Sequence, residues 1–144
     1  MLAFADAGIP LIVLDSIPAM VPHKIFDEKD LEKQSVAAIP RLLSRHLPKL
    51  VNICEKNGTT IIFVNQVRSQ IGMLYGDPYN TPGGNAIKHY CSLRIQIGRK
   101  GWIESKNKKV GQICKVRIVK SKICAPFQEA ELPLLFNIGF VKHE

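Results

Sequence analysis

The 144-residue chain has few of the features that mark membrane, secreted or metal-binding proteins. Its four cysteines, at positions 54, 91, 114 and 124, form no C-x-x-C pair, and its four histidines lack metal-ligand spacing. No apolar run approaches the roughly 18–20 residues that span a bilayer, and the start has no basic leader. These absences predict reduced thiols, no membrane segment and a cytoplasmic location.

Motifs of several common catalytic and nucleotide sites are also missing. The chain contains neither the G-x-S-x-G elbow nor the G-x-G-x-x-G fingerprint. It also contains no G-x-x-x-x-G-K-[S/T] phosphate loop. Any nucleotide site that uses such a loop would therefore need it from outside these residues.

Positive charge is the most distinctive property that is present. The net charge is +8, but residues 88–122 hold eleven Lys or Arg against the single acid Glu104, so the remainder carries −2. Such a stretch is either a solvated basic face or a surface that binds a polyanion through phosphate neutralisation. Charge alone leaves both interpretations open.

Two short apolar runs predict a parallel β-α-β unit. Ile9–Asp15 and Thr59–Gln66 are apolar along most of their length, as in strands buried on both faces. Between them, Val36–Lys56 has apolar residues near helical spacing; Pro40 is acceptable in this helix only in its first turn, and Pro48 should kink it. The crossover joins two strands whose carboxyl ends carry polar side chains.

Ligands of open α/β sheets bind beyond the carboxyl ends of the strands, which makes Asp15 and Gln66 candidate site residues. Each could instead cap its strand in solvent. The segment that follows, residues 67–85, is rich in Gly and Pro yet contains Ile71, Met73, Leu74 and Tyr75. These apolar side chains either tuck under the loop or meet an apolar partner such as unstacked bases.

The rest of the chain predicts antiparallel strands. Ser92–Gly98 alternates, with Leu93, Ile95 and Ile97 facing inward, and further strands are expected at 112–122 and 130–136. Lys120 and Lys122 lie two apart on an extended segment and should point to the same side. No internal boundary is evident, so residues 1–144 are treated as one domain.

Three blocks of this sequence resemble the bacterial RecA recombinase family, over about Leu11 to Phe136. They are Phe63–Arg68 (FVNQVR), the loop Ile71–Pro78 (IGMLYGDP) continuing in Pro82–Lys88 (PGGNAIK), and Val116–Phe127 (VRIVKSKICAPF). The resemblance implies a RecA-like P-loop NTPase core of α/β class, with a parallel β-α-β unit followed by antiparallel strands.

The resemblance further implies a site for ATP and Mg²⁺, shared with a missing part of the core or a neighbouring protomer. Asp15 and Ser16 match the end of the Walker B strand, whose Asp holds Mg²⁺ through water. Gln66 matches the glutamine that senses the γ-phosphate and signals to the following loop. Lys120 and Lys122 match the pair that reaches the ATP of the neighbouring protomer in a homo-oligomeric filament.

Single-stranded and duplex DNA are the partners that the resemblance implies. Residues 68–84 are similar to the second DNA-binding loop, with Ile71 as a wedge between base triplets. The other DNA contacts that it implies are backbone contacts at Arg68, Gly83, Gly84 and Asn85, helix contacts at Arg41 and Ser44, and a secondary strand site at Arg99, Lys115 and Arg117.

The sequence departs from the family in what it lacks. The phosphate loop and its strand, the catalytic glutamate and the C-terminal domain have no counterpart here, which suggests a fragment with an edge or gap in the middle of its sheet. His89 also replaces a phenylalanine that packs between protomers.

Three functions remain open. The first is a core fragment of a protein for homologous recombination, DNA repair and the SOS response to DNA damage, acting by ATP-dependent single-stranded DNA binding and strand exchange. The second is a nucleic-acid-binding remnant without ATP hydrolysis. The third is a basic α/β domain that docks on an acidic protein.

Overall fold

A computed structural model describes residues 1–20, 31–69 and 79–141 of the chain. The first elements are α1 (Leu2–Asp6), β1 (Leu11–Leu14), a 3₁₀ turn (Ile17–Ala19), α2 (Leu31–Asn57) and β2 (Thr60–Phe63). They are followed by β3 (Arg68–Ser69), β4 (Tyr79–Asn80), α3 (Gly84–Tyr90), β5 (Leu93–Ser105), β6 (Lys108–Ser121), β7 (Glu129–Leu135) and β8 (Gly139–Phe140).

The first part of the chain is the β-α-β unit that the sequence predicts. Strand β1 pairs in parallel with β2, in a register that runs from Leu11 opposite Thr60 to Leu14 opposite Phe63. Helix α2 is the connection between the two strands and ends at Gly58, whose φ of +64° is readily adopted by glycine. The α/β class with a parallel strand pair is therefore confirmed.

Helix α2 is longer than the sequence pattern indicates. It begins at Leu31, five residues before the predicted start, so Pro40 lies in the helix interior and not in the first turn, where a proline would be acceptable. Because the proline ring removes one backbone donor, this position is normally unfavourable, yet the helix continues through it. Its buried side chains are Leu43, Leu47 and Leu50, whose spacing of four and three residues forms one apolar stripe.

The prediction that both faces of the first two strands are buried is wrong. Side chains on one face are exposed, with Val13 at 55% and Leu11 and Ile62 close to half exposed, while those on the other face are intermediate. Among the described residues, the parallel sheet consists of β1 and β2 alone. A continuous apolar run therefore coexists here with an exposed sheet face, and the predicted edge or gap in the middle of the sheet stays a prediction.

The second part of the chain is a four-stranded antiparallel sheet in the order β5-β6-β7-β8. Strands β5 and β6 extend further than predicted and meet at Lys106–Asn107, whose φ values of +49° and +62° suit a tight two-residue hairpin turn. Ile95 and Ile97 were expected to face a core, but they are more than half exposed. The alternation is present, but in the structure as described this part of the sheet face is open to solvent.

The chain divides into two compact units, residues 1–90 and 91–144. The first holds the β-α-β unit and α3, and the second holds the antiparallel sheet. None of the helices in the described part of the chain is both long and apolar enough to cross a bilayer.

Candidate functional site

Polar residues follow both parallel strands at the same edge of the sheet. The Val64 amide donates to the Leu14 carbonyl at 2.9 Å, and the Ile17 amide donates to the Val64 carbonyl at 3.0 Å. These bonds keep Asp15 and Ser16 alongside the chain that leads to Gln66. The side chains of Asp15 and Gln66 are exposed, so both are accessible to a ligand at the strand tips.

Asn65 is a functional candidate that the sequence reasoning passed over in favour of Gln66. Its Nδ2 donates to the carbonyl of Pro82 at 2.8 Å, seventeen residues later, and its Oδ1 accepts the Gln66 backbone amide at 2.9 Å. One side chain thus joins the tip of β2 to the far end of the glycine-rich segment. The only signal in the sequence is an amide side chain directly after an apolar strand.

The glycine-rich segment is closed at its base by a short antiparallel pair. Arg68 lies opposite Asn80 and Ser69 lies opposite Tyr79 in the β3–β4 register. Arg68 is therefore at the point where the segment leaves the strand tips. The predicted wedge residue, Ile71, falls outside the described residues.

Gly83 and Gly84 form the return end of the segment and pack tightly against the helical layer. At Gly83, where φ is +100°, an added Cβ would lie 3.1 Å from Leu43 Cδ1 and 3.2 Å from Ile17 Cγ2. At Gly84, where φ is +73°, it would lie 3.0 Å from Pro40 Cβ. Both glycines are therefore required by backbone conformation and by close approach.

The contact between Gly84 and Pro40 brings two groups of predicted DNA-binding residues near each other. Arg41 directly follows Pro40 on α2 and is exposed, as is Ser44, one turn further along. Asn85 is exposed in the first turn of α3. The structure thus brings Arg41, Ser44 and Asn85 near the return end of the glycine-rich segment; their role in binding stays a prediction.

Lys120 lies near the end of β6 in the second unit, and Lys122 directly follows that strand. The Lys122 amide donates to the Ser92 carbonyl at 2.8 Å, and Arg94 lies opposite Lys120 in the β5–β6 register. Burial raises the pKa of the neighbouring Cys91 thiol, while the positive charges of Arg94, Lys120 and Lys122 act to lower that pKa. The lysines therefore belong to a local concentration of positive charge around Cys91.

The residues of the predicted secondary strand site lie on opposite faces of the antiparallel sheet. Arg99 is opposite Cys114 and shares its face, which also carries Trp102 and Gln112; we call this the Trp102 face. Lys115 and Arg117 project from the other face, together with Glu129 and Glu131 of β7. We call this the Glu129 face.

Carboxylates neutralise part of the charge on the Glu129 face. Glu129 pairs with Lys115 at 2.8 Å and with Arg117 at 3.3 Å, while Glu131 pairs with Lys100 at 2.6 Å. A hydrogen bond from Lys115, supported by the charges of Lys115 and Arg117, lowers the pKa of Glu129. Glu129 therefore stays ionised throughout the neutral range and competes with any anion for these two cations.

The first unit belongs to the class of α/β proteins whose strand tips present polar side chains beside an anchored loop. Ligands of such sheets usually bind at these strand tips. The chain belongs to the RecA N-terminal domain family, since the model of that family matches residues 2–141.

Proteins named RecA are among its relatives. The chain is 42% identical to Protein RecA of Helicobacter acinonychis over 138 residues and 41% identical to Protein RecA 1 of Myxococcus xanthus over 134 residues. These matches cover 95% and 93% of the chain, but 40% and 39% of the relatives. The chain thus spans about two fifths of the length of the curated relatives that it matches.

Replacing Gly83 with alanine is expected to destabilise the first unit more than the same change at Gly58. Both positions have positive φ, which costs an L-residue about 1–2 kcal/mol, but an added Cβ meets Leu43 and Ile17 only at Gly83. Urea unfolding of Gly83→Ala and Gly58→Ala should show the larger loss of unfolding free energy for Gly83→Ala. Equal losses would show that the close approach contributes nothing.

Removing the Glu129 carboxylate is expected to increase affinity for oligonucleotides. The Glu129→Gln change frees Lys115 and Arg117, and an exposed ion pair is worth up to about 1 kcal/mol, so a gain of roughly two- to fivefold is expected. Glu131→Gln is the matched control, because it changes the net charge equally on the same strand and face. Fluorescence anisotropy with a labelled oligonucleotide measures both; equal gains would indicate a general charge effect.

Proposed function

We propose that this chain is part of a protein for homologous recombination and DNA repair, in which it binds single-stranded DNA and contributes to an ATP site. The observation that carries the proposal is the bond from Asn65 to the Pro82 carbonyl, which ties the glycine-rich segment to the tips of β1 and β2. A nucleotide at the strand tips and DNA at the segment would then both contact residues that this hydrogen bond holds in place.

On the nucleotide side, Asp15 and Ser16 supply the hard oxygen donors that suit a Mg²⁺ ion keeping most of its water. When bound, Mg²⁺ and ATP would supply the phosphoryl chemistry of the site. In this proposal Gln66 contacts the terminal phosphate, and its backbone amide donates to Asn65 Oδ1. A movement of Gln66 would therefore act on Asn65, which anchors the glycine-rich segment. A phosphate contact at Gln66 could order the segment in this way.

On the DNA side, the proposal assigns the single strand to the glycine-rich segment and its surroundings. The assigned contacts are Arg68, Ile71, Gly83, Gly84, Asn85, Arg41 and Ser44, with Arg99, Lys115 and Arg117 for a second strand. In a homo-oligomeric filament, Lys120 and Lys122 would face the ATP of the next protomer, where cations stabilise developing phosphoryl charge. The resemblance to the RecA family and the excess of positive charge after residue 88 support these assignments.

A second candidate is a nucleic-acid-binding chain that does not hydrolyse ATP. The absence of a G-x-x-x-x-G-K-[S/T] motif from the sequence favours it for these 144 residues taken alone. We expect the purified chain to bind an oligonucleotide without DNA-stimulated release of phosphate from ATP. Hydrolysis by this chain alone would contradict the view that the phosphate loop must be supplied from elsewhere.

The loop assignment is tested by Arg68→Ala and Ile71→Ala, each expected to weaken binding to a single-stranded oligonucleotide roughly three- to tenfold. Loss of Arg68 should also reduce the salt dependence of binding, because one phosphate contact is removed. Lys56→Ala is the charge-matched control, since Lys56 is at the end of α2 that leads into the start of β2, away from the strand tips. Anisotropy titrations at several salt concentrations provide the measurement.

Equal losses for Arg68→Ala and Lys56→Ala would argue for non-specific charge attraction in place of a dedicated loop. No binding of any oligonucleotide at low salt would contradict the proposed function itself and favour a basic domain with an acidic protein partner.

A further inference from the structure

Trp102 is the only tryptophan of the chain, and its side chain lies on the Trp102 face of the antiparallel sheet, 40% exposed. The guanidinium carbon of Arg99 lies 4.1 Å from the centre of its ring, and the Lys109 ammonium lies 4.6 Å from it. Phe136 meets the same ring edge-on, with the ring centres 6.3 Å apart. Two cations and an aromatic neighbour therefore surround one accessible indole.

Two irregularities in the β5–β6 pairing create this cluster. Residues three apart on a regular strand project to opposite faces, which would separate Arg99 from Trp102. A register shift between Arg99 and Gly101 adds one residue to β5 and returns both side chains to one face. A second shift, between Ile103 and Glu104, does the same for Lys109 on β6.

The charge of this cluster is less compensated than that of the Glu129 face. In the antiparallel sheet as described, Lys100, Lys115 and Arg117 are in ion pairs, whereas Arg99 and Lys109 contact the indole and have no carboxylate within ion-pair distance. Glu104 lies opposite Lys109 in the register but forms no ion pair with it. Arg99 and Lys109 are therefore available to an anion that approaches the ring.

We propose that Arg99, Trp102 and Lys109 form a contact site for single-stranded nucleic acid, in which the two cations move from the ring to bind phosphates and an unpaired base stacks on the indole in their place. This inference rests on the proposed function and deepens it by adding Trp102 and Lys109 to the DNA-binding surface. Base–aromatic stacking accepts any base and requires an unpaired one, whereas an acidic peptide would use the cations alone. A partly exposed ring beside two cations therefore favours a ligand that offers both phosphates and unpaired aromatic bases.

The single tryptophan makes the site directly observable. Indole emission of the full chain should be quenched when a single-stranded oligothymidine is added, because a stacked base quenches the ring. A duplex of equal length and a polyglutamate of equal charge should quench much less. Equal quenching by all three would overturn the stacking role, since only charge would then be sensed.

Three substitutions test the same site by anisotropy with the labelled oligonucleotide. Trp102→Ala should lower single-strand affinity at least about fivefold, and Trp102→Phe should retain much of it, because a phenyl ring still stacks. Lys109→Ala should weaken binding more than Lys108→Ala, which removes the same charge from the adjacent position on the opposite face of the hairpin. Equal effects of the two lysine changes would contradict the site, even if Trp102→Ala failed to fold.

The outcomes separate this inference from the function on which it rests. Oligonucleotide binding that is weakened by Arg68→Ala but unaffected by Trp102→Ala, with no change in indole emission, would remove the Trp102 site and leave the proposed function intact. An absence of oligonucleotide binding would contradict both.

Discussion

The hydrogen bond between Asn65 and the Pro82 carbonyl is the constraint on which the candidate site depends. It joins two residues seventeen positions apart at the tips of two parallel strands. The tight packing of Gly83 against Leu43 and Ile17 reinforces the closure of the segment. Closing a segment of this length costs conformational entropy, which these contacts offset. The ends of the segment are thereby held beside Asp15 and Gln66, where the proposed nucleotide and DNA contacts would influence each other.

The antiparallel sheet distributes positive charge over two faces of different chemistry. On the Glu129 face, carboxylates of β7 already bind Lys115 and Arg117, so a nucleic acid must compete with Glu129 for them. On the Trp102 face, Arg99 and Lys109 lie over an aromatic ring. The ring attracts the two cations through its quadrupole but does not neutralise their charge. Arg99 and Lys109 are therefore more available to an incoming phosphate than Lys115 and Arg117.

Uncovered apolar side chains are the other consistent feature of the molecule. Val13 and Ile62 on the parallel pair, and Ile95 and Ile97 on β5, are close to or above half exposed although they lie in strands. Apolar surface of this kind is typical of faces that meet another element or another protein. The chain covers about two fifths of its RecA relatives.

The sequence by itself determined the parallel β-α-β unit, the antiparallel strands that follow it, the polar residues at the strand tips and the location of the positive charge. These are properties of consecutive residues, because hydrophobic period and turn chemistry act locally. Tertiary structure alone decided that Arg99 shares a face with Trp102 and not with Lys115, that Glu129 neutralises two of the cations, and that Asn65 anchors Pro82. It also decided that Pro40 lies within α2 and that two apolar strands keep an open face. The reason is physical. A β-bulge reverses the alternation of side chains, and the burial of a strand depends on which distant element covers it. The local hydrophobic pattern of the sequence encodes neither the bulge nor the covering element.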